Sequence, residues 1–139
     1  MTKKERHEWG RELSRRRLVL ANMLMSEDGC DRSVAFKLSH GAFRLYYLLT
    51  KGEVTFSYFK SNGETRCAVG TLNPELLNKL TPRIFAKMLS KPNEEARQNI
   101  ENSGRITYWD LERSGFRSFY IYDLIGIEKV TIHVNKFFR

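Results

Sequence analysis

The chain of 139 residues has the length of one ordinary domain, which leaves room for one hydrophobic core and not for two independent ones. Its 24 Lys and Arg against 16 Asp and Glu give a formal net charge of +8, which favours a polyanionic partner over a cationic one. Hydrophobic residues make up 41% of the sequence, which excludes a disordered basic tail. We therefore expect a folded basic protein with a single core.

The reactive residue types are scattered. Cys30 and Cys67 form no CxxC motif and the three histidines are far apart, so we expect no disulfide framework, no metal site and no cofactor. No Gly-rich phosphate loop and no pairing of a nucleophile with a base is evident, which predicts a protein that is not an enzyme. The apolar stretch 18–25 is too short for a membrane span or a signal peptide. We expect no membrane association and a cytoplasmic location.

The first segment has the pattern of a basic amphipathic helix. Over residues 4–25 leucines recur at the spacing of one helical face, while most arginines fall elsewhere. Arg11, Arg15 and Arg16 are candidates for contact with a phosphate backbone. The alternative is that they pair with neighbouring glutamates on a solvated helix face, and the sequence does not decide between the two.

A second helix is predicted over residues 34–50. Asp31 precedes it, and its carboxylate can accept the free amide protons of the first turn. Gly52 follows it, where a left-handed residue commonly ends a helix. The apolar residues form two stripes, one beginning at Val34 and the other at Phe36, so we expect this helix to be packed on two sides.

The periodicity then changes to two, which is typical of strands. Apolar and polar residues alternate over residues 54–59, and a second strand is predicted over residues 64–72. Asn62-Gly63 lies between them, and this pair readily adopts the positive φ angles of a tight primed turn. The sequence therefore predicts a β-hairpin.

The sequence pattern of residues 73–103 is again typical of helices. Pro74, Pro82 and Pro92 each occupy a position that the first turn of a helix tolerates, and Gly104 can end the last helix. Two or three short helices are expected.

A second hairpin and a fifth strand complete the predicted elements. Residues 105–112 and 116–122 form the hairpin, joined at residues 113–115, and residues 130–137 alternate well enough for another strand. Five short strands with a helical insertion predict a small α+β barrel.

The second hairpin also resembles a known family. Residues 104–125, GRITYWDLERSGFRSFYIYDLI, resemble the WYL domain segment of a strand, a turn and an Arg-Thr-Phe-Arg-like strand. Residues 43–73 are similar to the leading helix, the Val-Thr-Phe strand and the Arg-containing strand ending in Gly-Thr-Leu-Asn of a compact WYL-like subfamily. Arg117 and Phe119 match the Arg-x-Phe-Arg pattern, whereas Tyr120 replaces its second arginine.

The resemblance implies a five-stranded Sm-like, Src-homology-type small β-barrel. Such domains sense ligands or nucleic acids in prokaryotic, phage and mobile-element proteins, and catalysis is not implied. We accordingly divide the chain into a basic N-terminal helix, residues 1–30, and a barrel domain, residues 31–139. The domain has a leading helix and a helical insertion at residues 74–103, between strands 2 and 3.

Arginines on two separate strands are the strongest candidates for anion binding. A guanidinium held on a rigid strand is a good fork for a phosphate, which singles out Arg66 and Arg117, with Lys60 nearby in sequence. The alternative is that these arginines are solvated or pair with Glu64 and Glu112 across a hairpin.

Aromatic residues on the strands supply flat rings of the kind that stack on bases. Trp109 and Tyr120 are the candidates, against the alternative that they are ordinary core residues. Alternation places Trp109 and Tyr108 on opposite faces of the strand, so we expect one aromatic set to line the interior and the other to remain available.

Three functional hypotheses follow. The first is a non-catalytic regulatory or accessory protein that binds nucleic acid or a nucleotide through these residues. The second is a phage or mobile-element interaction module that binds and inhibits a host nucleic-acid-handling enzyme. The third is an oligomer that assembles through the barrel edges.

Overall fold

The computed structural model describes residues 2–83 and 92–132. Within these ranges the structure contains four helices, a 3-10 turn and five strands, in agreement with the predicted α+β class. In chain order they are α1 (Lys3–Glu27), α2 (Arg32–Lys51), β1 (Gly52–Phe59), β2 (Thr65–Thr71), α3 (Pro74–Leu80), α4 (Pro92–Ser103), β3 (Arg105–Asp110), β4 (Gly115–Tyr120), the 3-10 turn (Ile121–Asp123) and β5 (Leu124–Ile132). The predicted helical insertion between strands 2 and 3 is confirmed.

The five strands form one antiparallel sheet that curls on itself. Their order is β4-β3-β2-β1-β5, so the two consecutive strands β4 and β5 are at opposite edges and the 3-10 turn connects them. The rings of Tyr58 on β1 and Phe119 on β4 are stacked with their centroids 4.2 Å apart. In a flat sheet two intervening strands would separate them by about 14 Å, so the sheet is bent into a small barrel.

The core lies inside the curled sheet and under the first two helices. Phe56 and Tyr108 fill the barrel with their rings 4.9 Å apart and perpendicular. Phe43 of α2 is fully buried, as are Leu20 and Leu24 of α1, the leucines that the helical pattern placed on one face. The α1 helix therefore packs in the same core as the barrel. None of the helices in the described ranges has an apolar run long enough to cross a membrane.

The first hairpin is where the sequence predicts it, with a different turn. Gly63 has a φ of +88°, but Asn62 is not among the residues with positive φ. The amide of Lys60 donates to the carbonyl of Glu64 at 2.7 Å, and that of Gly63 donates to Lys60 at 2.9 Å. This is a three-residue loop with one left-handed glycine, so the primed two-residue turn was wrong.

Both ends of the helical insertion follow the sequence signals. The Asn73 side chain accepts hydrogen bonds from the amides of Glu75 and Leu76, each at 3.1 Å, and α3 begins at Pro74. Gly104 has a φ of +66° and donates its amide to the carbonyl of Ile100, which ends α4. Residues 82 and 83 are also helical, and residues 84–91 lie outside the described residues.

The ends of α2 differ from the prediction. Asp31 is at the N-cap position, but its side chain makes no capping hydrogen bond. Gly52 has a φ of 172°, which is extended backbone, because it is already the first residue of β1. Val34 and Phe36, one from each apolar stripe, are 47% and 38% exposed, so neither stripe is buried along its whole length.

The fifth strand begins at Leu124, six residues before the predicted start. Its pairing with β1 shifts twice, which leaves Ile125 and Glu128 as extra residues in two bulges. Each bulge interrupts the period of two, and this is why the alternation is weak in the sequence. The end of the predicted strand, residues 133–137, lies outside the described residues.

A close approach at Gly70 gives a test of the packing. A Cβ atom on this β2 residue would lie 2.6 Å from Cδ2 of the buried Tyr108, so Gly70→Ala should lower the free energy of unfolding by roughly 1–3 kcal/mol. Gly126 has nothing within 4 Å of such an atom, so Gly126→Ala should stay within about 0.5 kcal/mol of the parent. Urea denaturation measures both, and equal effects would contradict the packing described.

Candidate anion-binding site

Arg66 and Arg117 meet on one carboxylate, that of Asp110. The Nη2 atom of Arg66, on β2, lies 2.5 Å from Oδ2 of Asp110, and Nε of Arg117, on β4, lies 3.5 Å from the same oxygen. Asp110 is fully buried. The prediction that these arginines lie on separate strands is confirmed, and Asp110 joins them into an arginine–aspartate cluster of Arg66, Asp110 and Arg117.

The turn after β3 fixes the orientation of the Asp110 carboxylate. Asp110 is the last residue of β3, and its Oδ1 atom accepts the amides of Glu112 at 2.9 Å and Arg113 at 3.0 Å. This is the local hydrogen bonding that makes aspartate favourable at the start of a turn. Because the backbone occupies Oδ1, the second oxygen faces both guanidinium groups.

Two tyrosines extend the network into the barrel. Tyr58 pairs with Arg66 in the β1–β2 register, and the hydroxyl groups of Tyr58 and Tyr108 are 2.7 Å apart. Burial raises the pKa of Tyr108, and the hydrogen bond to Tyr58 raises it further, so Tyr108 is neutral at physiological pH. Burial alone would lower the pKa of Arg66, but its hydrogen bonds to Asp110 and Tyr108 outweigh this, and the pKa of Arg66 is raised.

The charges of the cluster do not cancel. Two guanidinium groups share one carboxylate, and the neighbouring tyrosine is neutral, so one positive charge remains. The side chain of Arg66 is only 13% exposed, whereas that of Arg117 is 43% exposed. The surplus charge is therefore presented to solvent at Arg117, where a phosphate or carboxylate can reach it. Among the described residues the buried Nε atom of Arg66 has no hydrogen-bond partner.

Lys60 is at the same end of the barrel. It follows the last residue of β1, and antiparallel pairing places this end beside the start of β2, which carries Arg66. Its amino group lies 3.6 Å from the carboxylate of Glu64, and 44% of the side chain is exposed. The Glu64 partner that the sequence offered to Arg66 is thus used by Lys60 instead.

The two predicted stacking residues have different environments. Trp109 is 5% exposed and packs edge-on against Phe116, with centroids 5.0 Å apart, so its ring is not available for stacking. Both faces of β3 are covered, and the expectation that one aromatic set would remain open fails at Trp109. Tyr120 is 45% exposed, and the guanidinium of Arg105 lies 4.6 Å from its ring centroid. By strand alternation Tyr120 is on the opposite face of β4 from Arg117.

The α1 arginines are not equivalent. Arg11 and Arg15 are exposed. Arg16 forms an ion pair with Glu101 of α4, and both side chains are 20% exposed. Arg16 therefore connects two helices of the fold, which is neither the phosphate contact nor the pairing within α1 that the sequence offered.

Asp110 is the residue that the site candidates omitted. The pattern placed it on the same face of β3 as the buried Tyr108, and a carboxylate on an inward face needs cationic partners. That signal was present, but it names no partner, because Arg66 is 44 residues away along the chain. Within the described ranges no three His, Cys, Asp or Glu side chains converge on a metal position.

Comparison with known proteins identifies one similarity. The model of the family WYL_2, described as an Sm-like SH3 β-barrel fold, matches residues 33–125, about two-thirds of the chain. The matched segment runs from α2 to the start of β5 and contains the whole arginine–aspartate cluster. No curated protein and no solved structure matches the chain.

The cluster makes a prediction about stability. Asp110→Asn keeps an oxygen for the turn amides but removes the charge that compensates the largely buried Arg66. We expect it to lower the free energy of unfolding by about 3 kcal/mol, since removing one partner of a buried ion pair leaves the other uncompensated. Urea denaturation measures the change.

Glu64→Gln is the matched control, because it removes the carboxylate from the exposed pair with Lys60. An exposed ion pair contributes only about 0–1 kcal/mol. If Asp110→Asn were no more destabilising than Glu64→Gln, the arginine–aspartate cluster would not contribute to the stability of the fold.

Proposed function

This chain belongs to the WYL_2 family of Sm-like SH3 β-barrels, and we propose that it is a non-catalytic regulatory or accessory protein that binds nucleic acid, or a nucleotide, through the arginine–aspartate cluster. WYL domains are associated with regulatory sensing of ligands or nucleic acids. The cluster lies within the matched segment, so the proposed binding residues belong to the barrel itself.

The observation that carries the proposal is the position of Arg117. Its Nε atom lies 3.5 Å from Oδ2 of the buried Asp110, while 43% of the side chain is exposed. The guanidinium is therefore held by a rigid partner before any ligand arrives, which reduces the entropy lost when a phosphate binds. The surplus positive charge favours an anion over a neutral ligand.

The surroundings favour a phosphate chain over a single small anion. β4 is an edge strand and pairs with β3 alone among the described strands. Tyr120, on the opposite face of β4 and under the guanidinium of Arg105, does not belong to this surface. Lys60, the exposed arginines of α1 and the net charge of +8 add nonspecific attraction to a polyanion.

The interaction module that binds a host enzyme is the competing hypothesis. It requires a stable complex with a protein and little affinity for free nucleic acid. Co-purification followed by mass spectrometry and an absorbance ratio separates the two, because protein and nucleic-acid partners give different signals in the same sample.

The binding test uses fluorescence anisotropy with short labelled single-stranded and double-stranded DNA and RNA, and with a labelled nucleotide, at several salt concentrations. Arg117→Gln should weaken binding about tenfold, which is the loss expected for one charge-assisted hydrogen bond. It should also reduce the slope of log affinity against log salt by about one, because one phosphate contact is removed.

Lys79→Gln is the matched control, since it removes one exposed positive charge from α3, which follows the opposite end of β2. Thermal melting confirms that both variants are folded. The proposal would be rejected if the parent protein bound none of the probes. It would also be rejected if Arg117→Gln and Lys79→Gln lowered the affinity equally.

A further inference from the structure

A second concave surface lies between α2 and the beginning of β5, and it shares no residue with the arginine–aspartate cluster. This α2–β5 groove has a volume of about 700 Å³ and is bordered by α2, by Arg17 of α1, by Ile121 and by residues 124–127. Small-molecule sites in proteins commonly occupy about 300–1,000 Å³, so the groove has the size of such a site.

One face of α2 forms the first wall of the groove. Phe36, Lys37, His40 and Arg44 recur at helical spacing and lie along it. Phe36 is 38% exposed, and the guanidinium of Arg32 lies 5.6 Å from its ring centroid, which adds a further cation beside the groove. This wall of the groove thus combines an aromatic ring with cationic side chains.

The irregular start of β5 forms the second wall. Ile125 is the extra residue of the first bulge, and it is 49% exposed on the groove. A bulge re-aims the side chain at the irregular position, and bulges are frequent near binding sites. Gly41 of α2 faces Leu124 of β5, since a Cβ there would be in ordinary van der Waals contact, 3.9 Å from Cδ2 of Leu124.

The groove has charge of one sign only. Its charged lining residues are Arg17, Lys37 and Arg44, and none of its lining residues is acidic. The Nε atom of Arg17 is buried and has no hydrogen-bond partner among the described residues. Positive charge without a compensating carboxylate in the lining favours an anionic ligand.

We propose that the α2–β5 groove binds a small amphiphilic anion, a carboxylate or phosphate attached to an apolar body. The apolar body lies on Phe36 and Ile125, and the anionic group faces Arg17, Lys37 and Arg44. The mixture of an apolar floor with a few cationic groups is the usual composition of a site for such a molecule. This site is independent of the proposed nucleic-acid function, because the residues are different.

The probe is 1-anilinonaphthalene-8-sulfonate, which joins a sulfonate to two aromatic groups and fluoresces in apolar surroundings. We expect saturable binding of one probe per chain to the folded protein, and competition by decanoate but not by decanol. In a ¹⁵N-labelled sample the amide signals of Gly41 and Gly126, both in the groove, should shift on titration. Those of Gly63 and Gly115, in the two hairpins, should not.

Two pairs of variants test the two parts of the groove. Arg44→Gln should weaken the probe about tenfold, whereas Arg113→Gln, an exposed arginine outside the groove, should not. Ile125→Glu should abolish binding, whereas Ile132→Glu, on a more exposed residue of the same strand, should leave it intact. Circular dichroism checks the fold of each variant.

Several results would overturn the inference. Binding that does not saturate, equal losses in the control variants, or shifts outside the groove would each do so. An acidic amphipathic peptide that displaced the probe and bound more tightly than decanoate would assign the groove to a protein partner instead. Arg117→Gln should leave probe binding unchanged, so failure of this site and failure of the nucleic-acid proposal are distinguishable.

Discussion

A buried carboxylate requires compensating positive charge, and in this protein two arginines from different strands supply it. Asp110 is fully buried and faces Arg66 and Arg117 with one oxygen, while the β3–β4 turn occupies the other. Because one negative charge cannot neutralise two positive ones, the cluster keeps a surplus that points to solvent at Arg117. The proposed function depends on this imbalance more than on the overall basicity of the chain.

The strand order makes the cluster possible. In the strand order β4-β3-β2-β1-β5, the strands carrying Arg66 and Arg117 are separated by β3, which carries Asp110 between them. The stack of Tyr58 on Phe119 holds the sheet closed, and the hydrogen-bonded pair Tyr58–Tyr108 places polar hydroxyl groups beside Arg66. Tyr58 and Tyr108 thus connect the aromatic interior of the barrel to the arginine–aspartate cluster.

Local sequence signals predicted much of the fold, but they could not predict contacts between residues that are distant in sequence. Pro74 suits the first turn of a helix and Gly104 bonds back to Ile100, so the helix boundaries they mark can be predicted from the local sequence. The start of β5 was missed because its bulges become visible only when β1 pairs with it. At the site, Arg66 and Arg117 were predicted from their strands, but Asp110 as their common partner and the burial of Trp109 against Phe116 depend on which strands pair.

The side-chain NMR signals of the arginines test the cluster most directly, because each guanidinium Nε–Hε group gives its own resonance. On titration with a short single-stranded oligonucleotide, the Arg117 signal should shift saturably, and Arg113, exposed in the neighbouring turn, should shift little. Arg66 should respond less than Arg117, since its side chain is 13% exposed. An Arg117 signal that stayed fixed while the oligonucleotide bound would contradict the assignment of the arginine–aspartate cluster as the anion-binding site.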